Sequence, residues 1–374
     1  MIFLFFSFLF FIASFSRSKL IFNSLFLITG GFYVLNFGFG YDWMNYYDSY
    51  LNINTPGYDF FFYEPGYLWC MSLFSYFGVD FQIFYGLTVL FIYFSVYKFC
   101  IKTKSPVIAF FTLFCFLGFY VFSEGIRQGV AFSICLFALN ALRSNLRLRA
   151  IVIISVASLF HASSLFTFLY FILLNPGQKS FYRFTITSTT FVALFLFFLY
   201  NPSYLSFIPV VGPKFAIYSS MYAWADGGFV DWLLKSRVFF LYIFFLLMLF
   251  LFQILQKKNR IYSAISVVYF LTLSRMTPVL LRFGYYLPPV LVLSMDNYLD
   301  SKGRDGHFSL FKLAYLSILL IISTMPFWDY TYMKGADYHV NILSSKADIE
   351  SVINIKCNIL NRNEINGVIR RCMW

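Results

Sequence analysis

The sequence predicts an all-α polytopic integral membrane protein with roughly 11–13 hydrophobic helices, some of them broken or re-entrant. Three observations predict it. Hydrophobic residues make up 60% of the chain and charged residues only 12%, with a mean hydropathy of +0.73, far from the balance of a soluble domain. Apolar segments recur from Met1 to Pro326 without a long polar insertion, which makes 1–326 a single membrane domain and 327–374 a C-terminal tail. The 28 Lys and Arg residues lie mostly in short loops between apolar runs, so the net charge of +12 reports topology and not a nucleic-acid partner.

Met1–Phe15 lacks a preceding basic region and a small-residue cleavage site, and therefore reads as a retained span. The basic clusters that follow are Arg17/Lys19, Lys98/Lys102/Lys104, Arg143/Arg147/Arg149, Lys179/Arg183, Lys257/Lys258/Arg260 and Lys302/Arg304. Placing all of them on the cytoplasmic side sends the acidic stretch 38–63 and the long loop 201–236 outward. This orientation needs an odd number of crossings between 63 and 98. The piece 64–78, opened by Glu64-Pro65-Gly66 and shorter than a span, is then an outer-leaflet or re-entrant helix. The piece 149–175 has basic clusters at both ends, so it either breaks near His161 and turns back or crosses once with one cluster misplaced; a break is favoured.

Cys70, Cys100, Cys115 and Cys135 fall in or beside apolar segments and read as small buried hydrophobes. Cys357 and Cys372 in the tail are able to pair if the tail faces an oxidising compartment.

Ionisable groups inside apolar runs mark function by default, because an unpaired charge there costs several kcal/mol. Glu124, Arg127 and Gln128 share one helix face if the helix starts before Glu124; the group is either a phosphate grip or a structural ion pair. Arg275 and Arg282 are two helical turns apart, with Pro278 between them to bend the helix. Two fixed cations suit a diphosphate, the alternative being snorkelling to headgroups. His161, beside Ser158, Ser163 and Ser164, is a general base, a phosphate ligand or a polar cap on a helix break. Asp42, Trp43 and Tyr46 in GYDWMNYYDSY, with Glu64 in YEPGY, combine carboxylates and aromatic rings as a sugar site does, and equally as an interfacial belt does. No metal-ligand spacing, Walker A or dinucleotide glycine motif is present, so no metal or cofactor is expected.

The segments FGYDWMNYYDSY, YEPGYLW, SEGIRQGVAFSI, SLFHASSLF and LLRFGYYLPP, in that order, resemble the EpsG/Wzy-type polysaccharide polymerases of O-antigen and exopolysaccharide assembly. Where members often carry an Arg before the first Gly–Asp motif, this chain has Leu35-Asn36-Phe37, so no phosphate role carries over to that position. The resemblance implies a GT-C-like glycosyltransferase in the bacterial inner membrane, joining undecaprenyl-diphosphate-linked repeat units at the periplasmic face, with a chain-length regulator as a further partner. In that setting Arg127, Arg282 and Arg275 would bind the diphosphate, and His161, Glu124 or Asp42 would serve as base or orienting group. Glu64, Tyr46 and Trp43 would contact sugar. A flippase for the same lipid-linked glycan and a membrane glycan acyltransferase are the competing readings.

Overall fold

The structure, a computed structural model, describes residues 1–374 apart from 17, 59, 61–62, 176, 209–210, 223–235, 256–260, 302–305 and 362–374. The expectations for Arg17, Asp59, residues 209–210 and 223–235 of the 201–236 loop, the clusters Lys257/Lys258/Arg260 and Lys302/Arg304, and Cys372 lie outside the described residues. Cys357 is disulfide-bonded. Among the other cysteines Cys100, Cys115 and Cys135 are buried and Cys70 is partly exposed.

The chain is α-helical almost throughout, as an apolar sequence crossing lipid must be, since helices satisfy every backbone polar group internally. Among the described residues four helices are long and apolar enough to cross a membrane: Phe81–Cys100, Gln178–Tyr200, Arg237–Leu255 and Leu310–Trp328. A pair bent by 43°, Pro278–Gly284 with Pro288–Asp296, makes a fifth if counted as one span. Shorter apolar helices, including Ile2–Ala13 and Lys19–Leu35, accompany them. The protein is a multi-pass membrane protein. Two compact units divide it: Met1–Phe137 with Ser155–Ala162 and Lys312–Trp374, and Ala138–Ile154 with Ser163–Phe311.

In the first unit, α1 (Ile2–Ala13), α2 (Lys19–Leu35), α5 (Phe81–Cys100) and α6 (Pro106–Leu113) pack together. The abundant phenylalanines supply the contacts: Phe10 packs tilted and Phe26 edge-on against Phe110, each with centroids 4.7 Å apart, and Phe3 stacks on Phe114 at the same distance. Helix α6 widens into a π-helical stretch, Phe114–Phe122, which ends at the turn Ser123–Gly125 before α7 (Ile126–Arg143). Gly118 permits this packing, since a Cβ there would meet the Phe3 ring at 2.7 Å. The turn itself is pinned by Gly125 N–H donating to Tyr120 O at 2.8 Å and Tyr85 Oη donating to Ser123 O at 2.6 Å.

Helix α4 (Pro65–Tyr76) is a 12-residue piece with Pro65 in its first turn, well short of a span. Helix α8 (Arg147–Ser158) stops before His161, and the chain resumes as a 3₁₀ helix at Ala162–Leu169. The expected break is therefore present. Its freed backbone groups are taken up by the start of α4: Leu159 O accepts from Gly66 N–H at 2.8 Å, and Ala162 N–H donates to Glu64 Oε1 at 3.3 Å. This is how a broken helix is accommodated at membrane depth.

The tail also folds into the first unit. Val340–Asn341 pairs antiparallel with Asn36–Phe37, in the register Asn36 opposite Asn341 and Phe37 opposite Val340. The C-terminal helix Lys346–Asn361 follows, with Ile349 and Lys356 fully buried.

In the second unit the helix Tyr262–Ser274 is buried on almost every side, packed against Gln178–Tyr200, Arg237–Leu255 and Pro288–Ser301. Pro278 does not bend this helix from within, as the spacing of Arg275 and Arg282 suggested. Helix Tyr262–Ser274 ends at Arg275, and Pro278 opens a new helix at its first turn, with Thr277 Oγ1 accepting from Val279 N–H at 3.1 Å. A missing N–H costs nothing at that position, so proline is a helix starter here. Arg275 and Arg282 accordingly belong to different helices.

Candidate functional site

Residues 38–42 form a tight loop ahead of α3 (Asp42–Leu51). Gly38 has φ +83°, and a Cβ there would also approach the Trp43 ring to 3.0 Å, so both conformation and space call for glycine. Glu124, only 4% exposed, accepts from the Gly40 N–H through Oε1 and from the Asp42 N–H through Oε2 at 3.3 Å. A Cβ on Gly40 would lie 2.4 Å from the Glu124 carboxyl carbon. Burial drives the Glu124 carboxyl above the usual carboxylate range; Lys356 pulls it back, Asp42 pushes it further up, and the two N–H groups pull it down. Glu124 thus acts on the loop that carries Asp42. Asp42 itself is exposed, in the first turn of α3.

Arg127, in the first turn of α7, donates from Nη1 to Glu64 Oε2 at 2.9 Å, with side chains 15% and 13% exposed. Its guanidinium lies 4.4 Å from the Tyr63 ring centroid and 5.6 Å from that of Tyr46. Tyr63 is fixed in turn: Ser49 Oγ donates to its hydroxyl at 2.9 Å, and that hydroxyl donates to Asn45 O at 3.1 Å. Burial raises the Tyr63 phenol, Arg127 and the Ser49 hydrogen bond lower it, and Asp42 and Asp48 raise it.

The expected face of Glu124, Arg127 and Gln128 does not form. Helix α7 begins at Ile126, leaving Glu124 in the preceding turn, so the i, i+3 relation that would pair it with Arg127 is absent. Each finds a distant partner instead, Gly40/Asp42 for one and Glu64 for the other. Glu64 is consequently an ion-pair partner that also bridges to Ala162 N–H, directly after the half-buried His161. Trp43 is fully buried, edge-on to Phe37 at 5.7 Å. Tyr46 is 5% exposed. Neither offers an open ring face for a sugar, because Trp43 packs under Gly38 and Tyr46 packs beside Arg127.

In the second unit Arg275 donates to the Tyr242 hydroxyl and lies 4.4 Å over its ring. Arg282 donates to the Tyr218 hydroxyl at 3.3 Å. Among the described residues no group of three or more His, Cys, Asp or Glu is placed to hold a metal ion.

Two participants escaped the sequence reading. Tyr63 is one; its place in YEPGY carried no distinguishing signal. Lys356 is the other, donating to Gly38 O at 2.5 Å and Gly40 O at 2.6 Å. Ile349, Val352, Ile353 and Lys356 stand at i, i+3, i+4 and i+7, so a lysine on the apolar stripe of the tail helix was visible in the sequence.

Fold and site together define a multi-pass α-helical membrane protein with charged side chains gathered and paired at the ends of short, interrupted helices. The EpsG family model matches residues 19–339, and the chain belongs to the EpsG family. No curated protein and no solved structure matches it. Family membership supports a polysaccharide-polymerase type of role, that of a glycosyltransferase-like enzyme.

Proposed function

We propose that the protein polymerises polysaccharide by joining undecaprenyl-diphosphate-linked oligosaccharide repeat units at the periplasmic face of the bacterial inner membrane. The observation that carries this reading is the close setting of Asp42, Arg127, Glu64 and the His161 break within one unit. There Arg127 pairs with Glu64 and lies against Tyr63 and Tyr46, Glu64 bridges to Ala162 N–H, and Asp42 stands one turn before Tyr46 in α3 with its own N–H held by Glu124.

In this reading the acceptor sugar hydroxyl gives its proton to the Asp42 carboxylate, with His161 as the other candidate base. The hydroxyl oxygen bonds to the anomeric carbon of the growing glycan as the bond from that carbon to the diphosphate oxygen breaks. Undecaprenyl diphosphate leaves with the bonding electron pair. Negative charge develops on the departing diphosphate, and Arg127 is placed to meet it, because a preorganised cation outside bulk water stabilises such charge strongly. Glu124 serves as the orienting carboxylate, holding the Gly40 and Asp42 amides. Arg275 and Arg282 are proposed as diphosphate ligands on their own geometry, each guanidinium steadied by a tyrosine.

Purified protein incubated with a lipid-linked repeat unit, without ATP or added metal, should give a polymer ladder. Arg127→Ala should leave single units. Translocation of the lipid-linked unit without polymer would replace this reading by the flippase, and acylated glycan by the acyltransferase.

A further inference from the structure

The matched family segment stops at residue 339, yet a side chain beyond it reaches the loop that Glu124 holds. Lys356 is fully buried. Its ammonium donates to the carbonyls of Gly38 and Gly40, at 2.5 and 2.6 Å, and lies 5.2 Å over the Tyr41 ring. Gly40 is thereby gripped from two sides, its N–H by Glu124 and its carbonyl by Lys356. The tail is anchored for this task by the pairing of Val340–Asn341 with Asn36–Phe37, immediately before the loop, and by Tyr41 Oη donating to Thr331 O at 2.7 Å. A fully buried lysine is rare unless it is paired, because its desolvation is costly.

We propose that Lys356 is a positioning residue of the candidate site: its ammonium clamps the Gly38–Gly40 backbone and balances Glu124, so that the C-terminal helix sets where the Asp42 carboxylate stands. The contacts are Lys356's own; the assignment of Asp42 as acceptor base rests on the polymerase reading above. The ionisable groups that act on Glu124 are Lys356 from the tail helix and Asp42 from the start of α3. Glu124 in turn acts on Tyr41 from the loop and Tyr85 from α5. His339, stacked on Phe39 at 5.0 Å, is lowered by burial, and Lys356 also lowers it. Burial pushes the Lys356 ammonium below its ordinary range, and Glu124 holds it up.

The test reads Glu124 directly. Dicyclohexylcarbodiimide adds to protonated buried carboxyls, and the adduct on Glu124 is quantified by peptide mass spectrometry across a pH series in full-length protein, with Glu124→Gln as the blank. Lys356→Met should move the labelling midpoint of Glu124 up by about one pH unit or more, because a nearby opposite charge is worth that much to a carboxylate. Lys356→Arg should hold it near the wild-type value. An unmoved midpoint in Lys356→Met overturns the proposal. If Lys356→Met does not fold, Lys356→Met/Glu124→Gln should fold and regain part of the lost melting temperature, since it removes the stranded carboxylate while the Gly38 and Gly40 carbonyls still lack their donor; a double variant as unstable as the single overturns the proposal. The labelling needs no turnover. A wild-type protein that makes no polymer therefore refutes the polymerase reading while the midpoint still decides Lys356, and where polymer forms Lys356→Met should lower its yield and Lys356→Arg restore it.

Discussion

Arg127 and Arg275 are both arginines at helix ends, and their partners make them different tools. Arg127 faces a carboxylate, Glu64, and two tyrosine rings, so its charge is balanced and its plane fixed before any ligand arrives. Arg275 donates to a neutral phenol, that of Tyr242, and lies over its ring, with no carboxylate paired to it among the described residues. The first arrangement favours precise placement; the second favours raw attraction for an anion. A membrane enzyme that handles a diphosphate has use for both, and removing either should have a distinct signature.

The largest effect is expected from Arg127→Ala. It removes the cation proposed to meet the leaving diphosphate, for which losses of about 100-fold or more in turnover are typical, and it strands Glu64, a penalty of about 3 kcal/mol in such pairs. Polymer yield and melting temperature should fall together, and Arg127→Ala/Glu64→Gln should regain most of the stability but none of the polymer. Arg275→Ala should lower polymer yield with a smaller change in melting temperature; an equal loss of stability would erase the contrast drawn here.

Gly66→Ala comes next. Its Cβ would sit 2.8 Å from the Leu159 carbonyl oxygen, a backbone atom that cannot swing aside, so α4 must part from the His161 break at about 1–3 kcal/mol. Gly31→Ala is the matched control: nothing lies within 4 Å of its Cβ, and an alanine inside a helix should stabilise by up to about 1 kcal/mol. Thermal melts of the two variants in the same detergent should shift in opposite directions.

The smallest effect is expected at the hydroxyl of Tyr63. Tyr63→Phe removes its bonds to Ser49 and Asn45 but leaves the ring over Arg127, costing about 1 kcal/mol. Tyr63→Leu should cost more and lower polymer yield, because the cation–π contact goes with the ring. Equal behaviour of the two would show that the ring contributes nothing to Arg127.

Much of this was legible in particular residues. The apolar runs, the short piece opened by Glu64-Pro65-Gly66 and the break near His161 follow from composition and charge placement, which act locally and are read along the chain. Arg127 and Glu124 were legible as costly charges needing partners, and Glu64 as a carboxylate set among aromatic rings. Their partners were not, because the expected partner of Arg127 was a neighbour in sequence, and a start of α7 only two residues later removes that option. Trp43 and Tyr46 looked like sugar platforms by type, and only packing under Gly38 and beside Arg127 shows them buried.

The sequence alone determined that the chain is a multi-pass helical membrane protein, that its helix near His161 is interrupted and which side chains are too expensive to be incidental. These are properties of hydrophobicity and solvation cost, summed residue by residue. Only the tertiary structure decided the pairings: Glu64 with Arg127, Glu124 with the Gly40 and Asp42 amides, and Lys356 from the far end of the chain with Gly38 and Gly40. A buried charge dictates that it must be satisfied, and long-range packing dictates by whom.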